Sequence, residues 1–231
     1  MITWDPEGQE FVNCTYYGCP QLTPTLAPET EFSGANGLKA IDEYFARFRA
    51  AGLKVGVCIR PQEITMKNGK PQQEAADDEH AVEVLKKKIT YAKKRWGCTL
   101  FYVDSTVTQM RSLDPAVFKM VAETYPDVLL MPENESMRYF AYSAPLNSYF
   151  HHKVTSTPAG ARTVYPKAFS VLMAPDGDEP EDHDALVAAV RNGDILLFNG
   201  WYDNPGVAKI KDLYREAAAQ QIAPNGESKI K

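Results

Sequence analysis

Nine residues with chemical potential stand at or just beyond the ends of apolar runs: Asp5, Glu7, Glu10, Arg60, Asp104, Glu133, Glu135, Trp201 and Asp203. They are far apart along the chain, so only a fold that gathers strand ends can bring them together. Carboxylates in a cleft with an arginine and aromatic platforms suit sugar chemistry. Glycoside hydrolysis commonly uses one protonated acid at the leaving oxygen and one carboxylate as nucleophile or base. Apolar walls raise one pKa, while a neighbouring cation or hydrogen bonds keep the other low. This reading assigns catalysis to Asp104 and Glu133, with Glu7 as the alternative partner. Asp5, Arg60, Tyr102, Glu135, Trp201 and Asp203 then bind substrate. Strand alternation places Tyr102 with Asp104, and Met131 with Glu133, on a common face.

The elements that must position these residues repeat one phrase. Lys93-Lys94-Arg95-Trp96-Gly97 reads as the basic last turn of a helix with a glycine stop, followed by an apolar run that ends at Asp104. Strands are expected near residues 1, 54, 99, 127, 150, 168 and 194, each followed by a helix. Among the helices are Ile41–Ala51, Asp77–Arg95 and Pro115–Thr124, the last with Asp114 as N-cap. In Leu53–Ile59 the small set Lys54, Gly56, Cys58 and Arg60 suits a crowded barrel interior and brings Arg60 inward at its top. Asn68-Gly69 and Pro71 read as a polar loop, and Phe150–Thr155 as a weak strand. Thr157-Pro158 reads as the cap of a short helix.

This alternation predicts an α/β fold, a (β/α)8 TIM-type barrel lacking its first βα unit, in one domain over residues 1–222 with a flexible tail over 223–231. A doubly wound sheet is the runner-up. The glycine-rich phosphate loops that would bind a nucleotide on it are not in the sequence, and no cofactor is expected.

A net charge of -5 on 231 residues, with no basic stripe, argues against a nucleic-acid partner. The densest basic run, Lys86-Lys87-Lys88 with Lys93-Lys94-Arg95, reads as a solvated helix face. Cys14 and Cys19 share a loop without metal-ligand spacing, and the adjacent His151-His152 point to opposite sides of a strand, so no metal is expected. No membrane-length segment and no signal peptide are present, and reduced thiols in the cytoplasm are the default.

Three blocks carry a family resemblance. Trp4-Asp5-Pro6-Glu7-Gly8-Gln9-Glu10, Gly52-Leu53-Lys54-Val55-Gly56-Val57-Cys58-Ile59-Arg60-Pro61 and Phe101-Tyr102-Val103-Asp104-Ser105 resemble strand ends of bacterial glycoside-hydrolase-type (β/α)8 barrels. The spacing of the second and third is similar to the α-galactosidase-like clan. That resemblance implies a nucleophile role for Asp104 and a galactosidase activity. The clan's acid/base aspartate, two strands later, has no clear match. The chain also resembles a poorly described group of bacterial barrel proteins with a further strand and helix before the WDxEGQE block.

The expected function is therefore hydrolysis of a small saccharide or glycoside. Two rivals use the same residues: a metal-dependent barrel isomerase or lyase holding a divalent ion on Asp5, Glu7, Asp104 and Glu133, and a non-catalytic sugar-binding barrel. An open barrel seam would leave unpaired strand edges, and a homodimer covering it is the expected partner arrangement.

Overall fold

The computed structural model describes residues 1–4, 39–68, 70–74, 77–108, 111–133, 136–147, 156–173, 183–198 and 206–222. They fall into two compact units, 1–134 with 141–143, and 135–140 with 144–231.

The first unit is built on a four-stranded parallel sheet in the order β1 (Ile2–Thr3), β2 (Gly56–Ile59), β5 (Leu100–Val103) and β8 (Leu129–Pro132). Between its strands come α1 (Ala40–Ala50), α2 (Asp78–Trp96) and α3 (Pro115–Thr124). Two hairpins also intervene: β3 (Glu63–Lys67) with β4 (Lys70–Glu74), and β6 (Val107–Thr108) with β7 (Arg111–Ser112). Part of the segment read as a polar loop, Pro71 included, is therefore paired strand, while Gly69 lies outside the described residues. Asn68 takes a φ of 53°, the left-handed conformation that asparagine tolerates in tight hairpins.

Helix ends follow the side chains placed there. The Asp77 carboxylate accepts the His80 N–H at 2.7 Å, Asp114 accepts the Ala116 N–H at 2.8 Å ahead of Pro115, and Gly97 ends α2 at φ 70°. Helix α1 docks on α2 through Phe45 stacked on Trp96 at 4.7 Å, with Trp96 Nε1 donating to Asp42 Oδ1 at 2.8 Å. Both faces of the sheet are buried. Val57, Phe101 and Leu130 line one, and Cys58, Tyr102 and Met131 line the other. That explains the near-continuous apolar strands.

Gly56 fits because it has no side chain. A Cβ there would lie 2.0 Å from the carbonyl oxygen of Leu100, its register partner on β5.

The second unit holds a three-stranded parallel sheet in the order β9 (Leu146–Asn147), β10 (Val171–Met173) and β11 (Ile195–Leu197). With it are α4 (Ala159–Val164), α5 (His183–Arg191) and α6 (Gly206–Ile222). Leu172, Leu186, Val187, Leu196 and Leu213 form its core. The weak strand expected over Phe150–Thr155 lies outside the described residues, and β9 is a strand that the sequence reading did not include.

Thr157 does not cap α4. Its hydroxyl instead donates at 2.6 Å to the buried Asp194, which precedes β11. Asp194 also accepts from Ser156 Oγ at 2.5 Å, the Thr157 and Ser170 N–H groups at 3.0 Å each, and Arg162 Nη2 at 2.8 Å. Burial pushes the Asp194 carboxyl up, but hydrogen bonds from Ser156, Thr157 and Ser170 outweigh it and hold the pKa below the usual carboxylate value.

Strand order follows chain order in both sheets without a switch point. That is the winding of a (β/α)8 barrel, and within neither sheet does the doubly wound reversal occur. The α/β class expected from the sequence, parallel strands separated by helices, is what the structure shows.

Two stability outcomes follow. Gly56→Ala is expected to cost about 3 kcal/mol or more, because the Leu100 carbonyl is backbone and cannot swing aside. Urea denaturation of the variant reads this directly. Asp194→Ala is expected to cost about 3–5 kcal/mol by stranding Arg162 and four other donors. Because the Asp194 pKa is depressed on folding, its stabilisation is present above the unfolded value of about 3.9 and is lost as pH falls through the folded one. The wild-type stability curve should therefore fall on the acid side more steeply than that of Asp194→Asn.

Candidate active site

Register carries three strand ends to one place. Ile59, Val103 and Pro132 are partners across β2, β5 and β8. The ladder continues one residue further, with the Asp104 N–H on the Ile59 carbonyl and the Glu133 N–H on the Val103 carbonyl, both at 2.9 Å. Arg60, Asp104 and Glu133 therefore stand side by side at the carboxyl edge of the sheet, on the face of Cys58, Tyr102 and Met131.

Arg60 donates to Asp104 Oδ2 from Nε at 2.7 Å and from Nη2 at 2.6 Å. Ser105 Oγ lies 3.4 Å from Asp104 Oδ1, and the Ser105 N–H donates to Glu133 Oε2 at 2.8 Å. Ser105 makes this bond from a left-handed backbone, φ 57°. Burial raises the pKa of Glu133 above the usual carboxyl value. The Asp104 charge and a hydrogen bond between the two carboxyls raise it further, against the lowering effects of the Ser105 N–H and Arg60. Tyr102, one layer below, is 4% exposed, and burial with the charges of Glu133 and Asp104 pushes its phenol far above its ordinary value. Its hydroxyl stays protonated. Trp4, 39% exposed, rests on the Tyr102 ring with centroids 4.6 Å apart.

Of the residues singled out in the sequence, Arg60, Tyr102, Asp104 and Glu133 meet here. Asp5, Glu7, Glu10, Glu135, Trp201 and Asp203 lie outside the described residues, as do Cys14, Cys19, His151 and His152. Asp104 and Glu133 are hydrogen-bond neighbours, a separation that the sequence left open. A nucleophile and an acid that flank a glycosidic bond stand about 5–5.5 Å apart in retaining enzymes and about 6.5–9.5 Å in inverting ones. Two carboxyls this close disfavour a second negative charge, so Glu133 holds its proton more tightly than a free carboxyl does.

Three residues were missed. Trp4 follows β1 and was read only as strand. Gln62, 4% exposed, donates from Nε2 to the Ser105 carbonyl at 3.0 Å. Lys88, expected on a solvated face, is 3% exposed and donates to the Arg60 carbonyl at 2.8 Å and the Gln62 carbonyl at 3.0 Å. The signal for Lys88 was available, since position 88 falls three after Leu85 and four before Ala92 on the apolar stripe of α2. As for a metal, no group of three or more His, Cys, Asp or Glu gathers among the described residues. Arg60 already pairs with Asp104 through Oδ2. No helix among the described residues is long and apolar enough to cross a membrane.

No protein-family model matches the chain, and no curated protein is significantly similar to it. Among solved structures it is similar to a family 18 chitinase from Crocus vernus, at 14% identity over 78% of this chain and 76% of that one, TM-score 0.42. It is also similar to the catalytic domain of a family GH18 chitinase from the fern Peteris ryukyuensis, at 12% identity over 85% and 84%, TM-score 0.43. A third is the catalytic module of SpuA, a multi-modular glycogen-degrading pneumococcal virulence factor, at 12% identity over 61% of this chain and 22% of that one, TM-score 0.33. None of these three is an α-galactosidase, so that part of the sequence resemblance has no counterpart among them.

The left-handed Ser105 gives a test of the site's backbone. A β-branched residue is strained at this φ, so Ser105→Val is expected to lose about 1–3 kcal/mol of stability, whereas Ser105→Gly keeps it. Guanidinium unfolding of the pair reads the difference.

Proposed function

We propose that the chain is a glycoside hydrolase of (β/α) barrel type acting on a small saccharide or glycoside. The reading rests on one observation: Arg60, Asp104 and Glu133 are adjacent in register at the carboxyl edge of a parallel sheet, where such folds place their chemistry. In this proposal Glu133 holds the proton and delivers it to the leaving oxygen, as a carboxyl with a raised pKa can. Asp104, paired with Arg60, raises the Glu133 pKa, and the negative charge left on Glu133 as its proton departs is met by the Ser105 N–H and the Arg60 guanidinium. Because the two carboxyls touch, the carboxylate on the far face of the sugar comes from another strand end. Glu7 and Asp5 are the acids that the sequence offers for it. Trp4, backed by the buried Tyr102 ring, supplies an apolar platform for a sugar ring.

A metal-dependent mechanism is less favoured, because a cation on Asp104 would sit beside the Arg60 guanidinium that already pairs with it.

A panel of chromogenic glycosides, with aryl α-galactosides included to read the galactoside preference that the resemblance implies, tests the proposal. Glu133→Gln and Asp104→Asn are each expected to cut kcat/KM by about 10²-fold or more while leaving the circular dichroism spectrum unchanged. Turnover should fall as pH rises through the elevated Glu133 value, where the proton is lost, and that limb should vanish in Glu133→Gln. Wild-type rates in both variants would sink the assignment, and saccharide binding without turnover would favour a binding protein.

A further inference from the structure

Glu133 is touched on one side by the reacting carboxyl of Asp104 and on the other by the backbone N–H of Ser105. Ser105 makes this bond from a left-handed conformation, which costs a non-glycine residue and must be imposed from outside. The imposing contact is visible. Gln62 Nε2 donates to the Ser105 carbonyl, gripping the peptide on the far side of the same residue. Gln62 is in turn fixed through its own backbone, because the buried Lys88 ammonium binds its carbonyl together with that of Arg60. One lysine on α2 thus anchors both the arginine that pairs with Asp104 and the glutamine that grips Ser105.

Gln62 is an expensive choice for such a place. The amide is buried, its N–H side is committed to Ser105, and its Oε1 has no hydrogen-bond partner among the described residues. An apolar side chain of the same length would fill the space without burying that acceptor. A residue kept only for packing would not be a glutamine.

We propose that Gln62 and Lys88 are positioning residues for the acid: Lys88 ties down the Arg60–Gln62 segment, Gln62 holds the Ser105 peptide, and the Ser105 N–H is thereby aimed at Glu133. This deepens the glycosidase reading and uses its site. It makes protonation at Glu133 answer to a residue that never touches substrate. Among the described residues, the titratable and charged groups facing Glu133 are Tyr102 on β5, Asp104 just after it and Arg60 just after β2, and none of them is altered by changing Gln62.

The sign is set by the hydrogen bond. An N–H donated to a carboxylate favours the charged form, so losing it raises the pKa. In Gln62→Met the Ser105 peptide is released, and the Glu133 titration should move to higher pH. Carbon-13 NMR of glutamate-labelled protein, wild type against Gln62→Met, reads that shift without turnover. The thermal midpoint should stay within a few degrees, because an orphaned acceptor is removed along with one bond. In glycoside assays the alkaline limb should move the same way, with kcat falling more than KM changes. Lys88→Arg, which keeps a cationic donor, should shift Glu133 less than Lys88→Met. An unmoved Glu133 titration in Gln62→Met would overturn the proposal. So would a collapse in stability that accounts for the whole activity loss. If no glycoside is turned over by wild type, the glycosidase reading falls, and the NMR titration still decides whether Gln62 positions Glu133.

Discussion

Asp104 lies between the Arg60 guanidinium and the Glu133 carboxyl, and the rest of the first unit is arranged so that this contact can exist in a largely buried place. Two carboxyls brought out of water repel if both are charged. Arg60 neutralises one, and a shared hydrogen bond lets the other keep its proton. Neither arrangement survives a slip in register. A shift of one residue in β5 would turn Asp104 to the helix-facing side of the sheet, among Val57, Phe101 and Leu130. The tight approach of Gly56 to Leu100 and the buried aromatic contacts of α1 and α2 belong to that same requirement, since they hold the strands and helices of this unit in one fit.

The second unit contains a buried carboxylate with the opposite character. Asp194 precedes its strand, whereas Asp104 follows one, and Asp194 is met by hydroxyls, backbone N–H groups and an arginine. Its lone pairs are committed to donors, so it is held charged and quiet. Glu133 is supported by fewer donors and opposed by a neighbouring charge, so its proton is held in place and available. The difference between a structural acid and a reactive one is therefore a difference in what surrounds the carboxyl.

Much was legible from residue order. Helix ends are local, so Asp77, Gly97, Asp114 and Pro115 announced α2 and α3 without any tertiary contact. Apolar runs of strand length separated by helices set the α/β class, because a parallel strand buried on both faces leaves no alternation to mistake. Alternation also placed Tyr102 with Asp104, and Met131 with Glu133. Local rules failed where pairing was non-local or weakly patterned. The β3–β4 hairpin was read as a polar loop because its strands are short and rich in Lys, Glu and Gln, and the two-residue strand Leu146–Asn147 is too short for any period to show.

What the sequence by itself determined was therefore which residues end the strands and which face each occupies, since both depend only on period and on neighbours a few positions away. Tertiary structure alone decided who meets whom. It aligned Arg60, Asp104 and Glu133 through hydrogen bonds between strands 44 and 29 residues apart, as the paired positions 60, 104 and 133 show. It also set the separation of the two carboxyls, which residue order leaves open, by bringing them into contact. It buried Lys88, which local charge patterning assigned to solvent, because only the folded backbone of Arg60 and Gln62 supplies the carbonyls that make burial of an ammonium tolerable.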